Sequence, residues 1–109
     1  MAAYQLPVRS VEIGGRCIKV YFNGKLDDCW GQYCRDGEFI ELGPDVDSLK
    51  TFRDTMRHEM LHAAISVSGL NHILNDNLEE ALVRALENLF LPAIDKLDQR
   101  LGLMKKTPS

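Results

Sequence analysis

Apolar residues alternate with polar ones along the first part of the chain, as they do in half-buried β-strands. Residues 11–22 predict extended structure, which a turn at Gly14 and Gly15 interrupts. The strand-like apolar positions of this segment are Ile13, Ile18, Val20 and Phe22. The segment therefore predicts strands on both sides of a glycine turn.

A second turn signal follows at Asn23 and Gly24, a dipeptide that favours β-hairpins. Two more short strands are predicted at residues 30–34 and 38–42, joined by an Asp-Gly turn within residues 35–37. We expect a sheet of three or four strands, mostly antiparallel.

After Pro44 the apolar residues recur at helical spacing. Asp47 or Ser48 is a suitable N-cap for a helix that extends to about Val67, and Gly69 is suited to the C-cap. The predicted apolar stripe of this helix is Leu49, Phe52, Met56, Met60, Ala63 and Val67. Its polar face carries Thr51, Thr55, His58 and His62.

A second helix is predicted after a polar loop at residues 69–77. It begins near Asn77 or Leu78 and extends to about Phe90, where Pro92 can bend or interrupt it before a last helical segment at residues 94–101. The predicted apolar stripe is Leu78, Ala81, Leu82, Ala85, Leu86 and Leu89.

Strands first and helices second predict an α+β fold, with a small, mostly antiparallel sheet followed by two main helices. The 109 residues suit a single domain with a strand-rich half at residues 1–43, a helical half at residues 44–103 and a tail at residues 104–109. The three cysteines, an odd number without an export signal, favour reduced thiols.

The net charge of −3 argues against a broad phosphate-binding surface, so we expect no nucleic-acid partner. No apolar run approaches the roughly 18 residues of a transmembrane helix, and the N-terminus lacks the pattern of a signal peptide. We expect a cytoplasmic protein with no membrane partner. The sequence does not determine its oligomeric state.

The first helix contains His58-Glu59-Met60-Leu61-His62, an H-E-x-x-H pattern. Residues four apart on a helix share one face, so both imidazoles can reach one Zn²⁺ ion at about 2.0–2.1 Å. Glu59 lies about 100° further round, within reach of a water on the metal. Zinc lowers the pKa of such a water to about 7, and Glu59 is the candidate general base that takes its proton.

A catalytic zinc ion usually has three protein ligands. His72, Glu79 and Glu80 are the candidates for the third, but His72 does not have the spacing of the third histidine in metzincins. Glu79 lies at the edge of the apolar stripe and Glu80 nearly opposite it. Burial would favour Glu79 if the stripe faced the first helix, and both glutamates remain open on this reasoning.

The H-E-x-x-H pattern, followed 18 residues after His62 by Glu80 and Ala81, resembles that of the gluzincins, the thermolysin-like zinc peptidases. The resemblance covers residues 58–86, about a quarter of the chain, and the whole chain is similar to the minimal zincins of bacteriophages and prophages. It implies a protein or peptide substrate, Zn²⁺ ligands His58, His62 and Glu80 with Glu79 as the alternative, and, for a phage-encoded protein, a location in the host cell.

Arg84 stands where thermolysin-like enzymes have an aspartate that orients a zinc histidine, so this orientation must come from other residues. Arg84 is instead a candidate for binding a substrate carbonyl or carboxylate, and Tyr33 is a candidate oxyanion donor. The resemblance also implies an edge strand that pairs with an extended peptide, and we expect it at residues 37–42.

Two other functions fit the same sequence. A zinc-binding regulator or adaptor with weak turnover would suit the small size, which leaves little chain for specificity pockets. A metal-free helical interaction module would use the two helices without any ion.

Overall fold

A computed structural model describes residues 6–26 and 30–103, and it has an α+β fold. The strands are β1 (Ser10–Ile13), β2 (Arg16–Phe22), β3 (Gly31–Cys34) and β4 (Phe39–Leu42). The helices are α1 (Leu49–Ser68), α2 (Asp76–Ala85) and α3 (Leu91–Arg100). A 3-10 turn, Leu70–His72, follows α1, and a π turn, Leu86–Phe90, joins α2 and α3 into one continuous helix. The predicted fold class is confirmed.

The strand order in the sheet is β1-β2-β4-β3. Both outer pairings are antiparallel, as predicted, but the central pair β2 and β4 is parallel, with Val20 opposite Ile40. The prediction of a hairpin at Asn23 and Gly24 is therefore wrong. The Asn23 N–H donates to the Leu42 carbonyl at 2.9 Å, at the end of the parallel pair, and the chain then crosses to the outer side of β4.

The prediction that residues 37–42 form an edge strand is also wrong. β4 is paired on both sides, with β2 and with β3, because it inserts between two strands that precede it in the chain. The antiparallel β3–β4 pair is joined by the turn predicted at residues 35–37. The free edge on this side of the sheet therefore belongs to β3.

The core lies between one face of the sheet and α1. The residues of this core, all at most 7% exposed, are Ile18, Val20, Ile40, Leu42, Val46, Phe52 and Met56. Alternation along β2 and β4 places four of them on the same face of the sheet. Complete burial of an aliphatic or aromatic side chain is worth about 1.5–3 kcal/mol. This packing fixes the position of α1 over the sheet.

Local capping sets the ends of α1. The Ser48 hydroxyl accepts from the Thr51 N–H at 3.1 Å, the Thr51 hydroxyl accepts from the Ser48 N–H at 3.1 Å, and Gly69 forms the left-handed C-cap. Of the predicted apolar stripe, Leu49 is exposed, whereas Thr55 and Glu59, which lie outside that stripe, are buried. The buried face of α1 is therefore rotated from the predicted stripe toward the polar side of the helix, because β3 packs against that side.

The predicted apolar stripe of α2 does not face the core. Glu79 and Val83 are its buried residues, while Leu78 and Ala81 are exposed. Asn75 caps the helix, and its side chain accepts from the Leu78 N–H at 2.8 Å. The polar side of the helix thus packs against α1.

Pro92 does not interrupt the second helix. The Leu91 N–H bonds to the Leu86 carbonyl, five residues back, so the helix widens by one residue just before the proline. A proline in a regular α-helix clashes with the carbonyl four residues earlier, here that of Asn88. Asn88 lies within the π turn, and the widened turn allows the helix to continue past Pro92.

Within residues 6–26 and 30–103, no helix has the length and apolar character required to cross a bilayer. Among the described residues, Cys17 and Cys34 are free cysteines. Cys29 and the predicted tail at residues 104–109 lie outside the described residues.

β3 approaches α1 so closely that position 31 has no room for a side chain. A Cβ on Gly31 would lie 2.8 Å from the Thr55 Cγ2 atom and 2.9 Å from the Glu41 carbonyl oxygen. We expect Gly31→Ala to lower the free energy of unfolding by about 1–3 kcal/mol through overpacking. Gly24→Ala, where the nearest atom is in the Phe22 ring at 3.4 Å, is the control, expected within about 0.5 kcal/mol of wild type. Urea denaturation measures both, and equal stabilities would contradict this account.

A second prediction concerns the ion pair that ties α3 to α1. The Arg57 guanidinium donates two hydrogen bonds, of 2.9 and 3.0 Å, to the Asp95 carboxylate and lowers the pKa of Asp95. A lowered pKa in the folded state stabilises the fold above the ordinary aspartate pKa of about 3.9, and this contribution is lost as the pH falls through the lowered value.

We therefore expect Asp95→Asn to melt at a lower temperature than wild type at pH 7, with the difference shrinking below about pH 4. Melting temperatures measured between these pH values check this. Asp98→Asn, on the same helix, is the control. A difference that grows on acidification would contradict the prediction.

Candidate metal centre

The two histidines of α1 lie one turn apart, next to α2. Their ring centroids are 5.0 Å apart and their ring planes are inclined by 67°. The side chains of His58 and His62 are only 26% and 17% exposed, so few solvent positions remain around them. Helical spacing brings the rings together, and α2 then determines which ring nitrogen faces which partner.

Each imidazole contacts a carboxylate through its Nδ1 atom. His62 Nδ1 lies 2.7 Å from Glu79 Oε2, and His58 Nδ1 lies 3.2 Å from Glu87 Oε2. A carboxylate accepts a hydrogen bond from a protonated Nδ1, so these contacts favour the tautomer whose Nε2 atom carries a free lone pair. This is how metal-binding histidines are usually oriented in proteins.

Both Nε2 atoms face Glu80. His62 Nε2 lies 3.2 Å from Glu80 Oε2, and His58 Nε2 lies 3.6 Å from Glu80 Oε1. The three side chains offer one ligand atom each within a mutual distance of 4.8 Å. Ligands about 2.0–2.1 Å from one tetrahedral ion lie about 3.4 Å apart, so this spacing fits a single metal ion.

Glu79, the alternative third ligand, lies on the other side of the His62 ring. Its second oxygen is 3.4 Å from the Arg35 NH2 atom, and its side chain is 9% exposed. Two adjacent residues of α2 thus contact the His62 imidazole from opposite sides, Glu79 at Nδ1 and Glu80 at Nε2. Partnership with His62 and Arg35 explains why a carboxylate, rather than the apolar stripe, is buried here.

Glu87 was not identified from the sequence. It follows Glu80 by seven residues, two turns along the same side of the helix, and it lies inside the π turn. Such turns are frequent at functional sites. The seven-residue spacing was the available signal, but only the packing of α2 on α1 shows that it meets His58. Glu79 and Glu87 thus contact the two imidazoles at Nδ1, the orienting contacts that the sequence left to residues other than Arg84.

Glu59 is buried beside the histidines. Burial raises the pKa of Glu59 above its ordinary value, and the Glu80 carboxylate acts in the same direction. The His58 and His62 rings and the Tyr33 backbone N–H act on this pKa in the opposite direction. A carboxylate with a raised pKa is better matched to proton transfer near neutral pH.

Two clefts meet at this cluster. The larger, of about 790 Å³, extends toward Trp30 and Arg84, and the smaller, of about 380 Å³, extends toward Arg35. Residues shared by both clefts are Gly31, His58 and Glu59. Together they form a groove along the free edge of β3 that passes the histidines and Glu59.

The two candidate substrate-binding residues differ in position. Arg84 lines the larger cleft, 70% exposed, with its Nε atom 3.7 Å from Glu80 Oε1. The Tyr33 ring packs against the core, and its hydroxyl is buried without a hydrogen-bond partner among residues 6–26 and 30–103. In this conformation the backbone N–H of Tyr33 therefore lies next to Glu59 in the site, whereas its hydroxyl is directed into the core.

Comparisons with protein-family models, with curated proteins and with solved structures found no match to this chain.

The contacts at Nδ1 generate a prediction about metal affinity. We expect Glu79→Gln and Glu87→Gln each to weaken zinc binding about 10–100-fold, because the neutral amide stabilises the oriented imidazole less than a carboxylate does. Competition titration against a chelating dye measures the affinity. Glu12→Gln, an exposed glutamate on β1, is the control. Unchanged affinity in both test variants, with folding verified by circular dichroism, would contradict this assignment.

Proposed function

We propose that this protein is a zinc-dependent peptidase in which His58, His62 and Glu80 hold the ion and Glu59 is the general base. One observation carries the proposal: two imidazoles and one carboxylate offer ligand atoms within 4.8 Å of one another, beside a buried glutamate. Two histidines and one glutamate are a ligand set of catalytic zinc sites.

When bound, the zinc ion would supply Lewis acidity toward the scissile carbonyl and lower the pKa of the attacking water. The same donor types also occur in iron(II) oxygenases. Glu59 favours hydrolysis over that chemistry, since it supplies a buried carboxylate with a raised pKa beside the ligands.

Glu59 accepts a proton from the attacking water and later delivers it to the leaving amine. The Glu59 carboxylate lines the groove beside the Tyr33 backbone, and burial raises its pKa toward the range that suits proton transfer near neutral pH. Restricted access of water around Glu59 strengthens its electrostatic interactions with the reacting groups.

The edge of β3 supports binding of an extended peptide. The Gly43 N–H bonds to the Trp30 carbonyl at 2.8 Å, and hydrogen-bonded pairs alternate along an antiparallel ladder. The backbone groups of Gly31 and Tyr33 therefore point away from β4. The Tyr33 N–H faces Glu59. The backbone N–H and C=O groups of Gly31 are available to pair with the main chain of a substrate beside the histidines.

The test is a comparison of zinc content and peptide hydrolysis in three variants. We expect Glu59→Gln to keep zinc and lose about 10²–10⁴-fold in activity on a mixed peptide library, because the proton acceptor is removed. We expect His62→Ala and Glu80→Ala to lose the zinc itself, measured by elemental analysis of protein purified without chelators.

Glu12→Gln is again the control and should retain both zinc and activity. Full activity of Glu59→Gln would contradict the role of Glu59. Bound zinc without any hydrolysis by the wild-type protein would support a zinc-binding regulator or adaptor instead. Purified wild type without a metal ion would contradict the proposal at its first step.

A further inference from the structure

The helix that supplies Glu79, Glu80 and Glu87 exposes a long apolar surface on another side. We name this surface the outer face, and its exposed residues are Leu78, Leu89, Phe90, Leu97 and Leu101. Leu89 is 73% exposed and Leu101 is 61% exposed. On a helical wheel Leu78 lies about 160° from Glu80, so this end of the outer face points away from the groove.

Phe90 and the α3 part of the outer face, together with the half-buried Ile94, have the spacing of a helix-pairing seam. Phe90, Ile94, Leu97 and Leu101 follow one another at intervals of four, three and four residues. Such intervals keep apolar side chains on one line along a helix and are typical of paired helices. The charged residues of α3 lie beside this line, and α3 has no buried residue of its own.

The exposed apolar surface has about the extent that a homodimer interface needs. Leaving out Leu78, which is distant from α3, the other four side chains and the neighbouring Leu103, which is 70% exposed, present roughly 550 Å² of apolar surface, at the upper end of the roughly 300–600 Å² of the largest patch on a typical monomer. A standard interface buries roughly 800 Å² on each partner, of which about 65% is apolar in homodimers. The outer face therefore supplies about the apolar area of one side of a dimer interface.

We infer that the outer face binds a second copy of this chain, with the two α3 helices antiparallel. The intervals of four, three and four read the same in both directions, so a two-fold axis between Ile94 and Leu97 places Phe90 opposite the Leu101 position of the second copy. Such self-complementarity is the condition for a two-fold symmetric interface.

Charge does not oppose this pairing. α3 carries two acidic and two basic residues, namely Asp95, Lys96, Asp98 and Arg100, so two copies bring no net charge together. Asp95 is also bonded to Arg57 of its own chain. The inference does not depend on the proposed zinc site.

Sedimentation velocity of the full chain, up to about 100 µM, tests the inference. We expect wild type to sediment with the mass of two chains, and Leu97→Glu and Leu101→Glu each to sediment as one chain, because a carboxylate would be buried in the seam. Gln99→Glu, which adds the same charge on another side of α3, should remain dimeric.

Circular dichroism establishes that each variant keeps its helices, and having two separate seam variants guards against one that fails to fold. Wild type that sediments as one chain at the highest concentration would overturn the inference. Dimers that persist in both folded glutamate variants would overturn it as well, because association would then use another surface.

Discussion

The pairing of each imidazole Nδ1 atom with a carboxylate is the constraint on which the site depends. Glu79 holds His62 and Glu87 holds His58, so both Nε2 atoms face Glu80. An imidazole without such a partner can rotate or change tautomer, and its lone pair then has no defined direction. All the carboxylates come from one continuous helix, so the placement of α2 on α1 decides the whole arrangement.

This placement has a consequence for the rest of the helix. To bring Glu79 and Glu80 to the histidines, α2 presents its polar side to α1 and turns its apolar stripe outward. Burial of the Glu79 carboxylate is offset by hydrogen bonds to His62 and Arg35. A helix that packs its polar side inward leaves apolar surface uncovered, and a symmetric partner is a simple way to cover it. The candidate metal centre and the outer face thus both result from the same orientation of the helix.

The strand order connects the sheet to the same site. Because β2 and β4 pair in parallel, β3 becomes the outermost strand and lies against α1 at Gly31. The Tyr33 backbone N–H of this strand faces Glu59, and the outward backbone groups of Gly31 face the open groove. The strand that orients the proposed general base is therefore the one available to an extended substrate.

Local periodicity in the sequence determined the helices, the H-E-x-x-H pair and the candidacy of Glu79 and Glu80, because caps and helical spacing depend on residues within a few positions of one another. Strand partners depend on segments distant in sequence, so only the tertiary structure placed β3 rather than β4 at the edge. The separate roles of Glu79 and Glu80, and the presence of Glu87, likewise depend on the rotation of α2 against α1. Helix amphipathicity alone could not settle this rotation, since it counts apolar burial but not the hydrogen bonds that a buried carboxylate makes with a histidine.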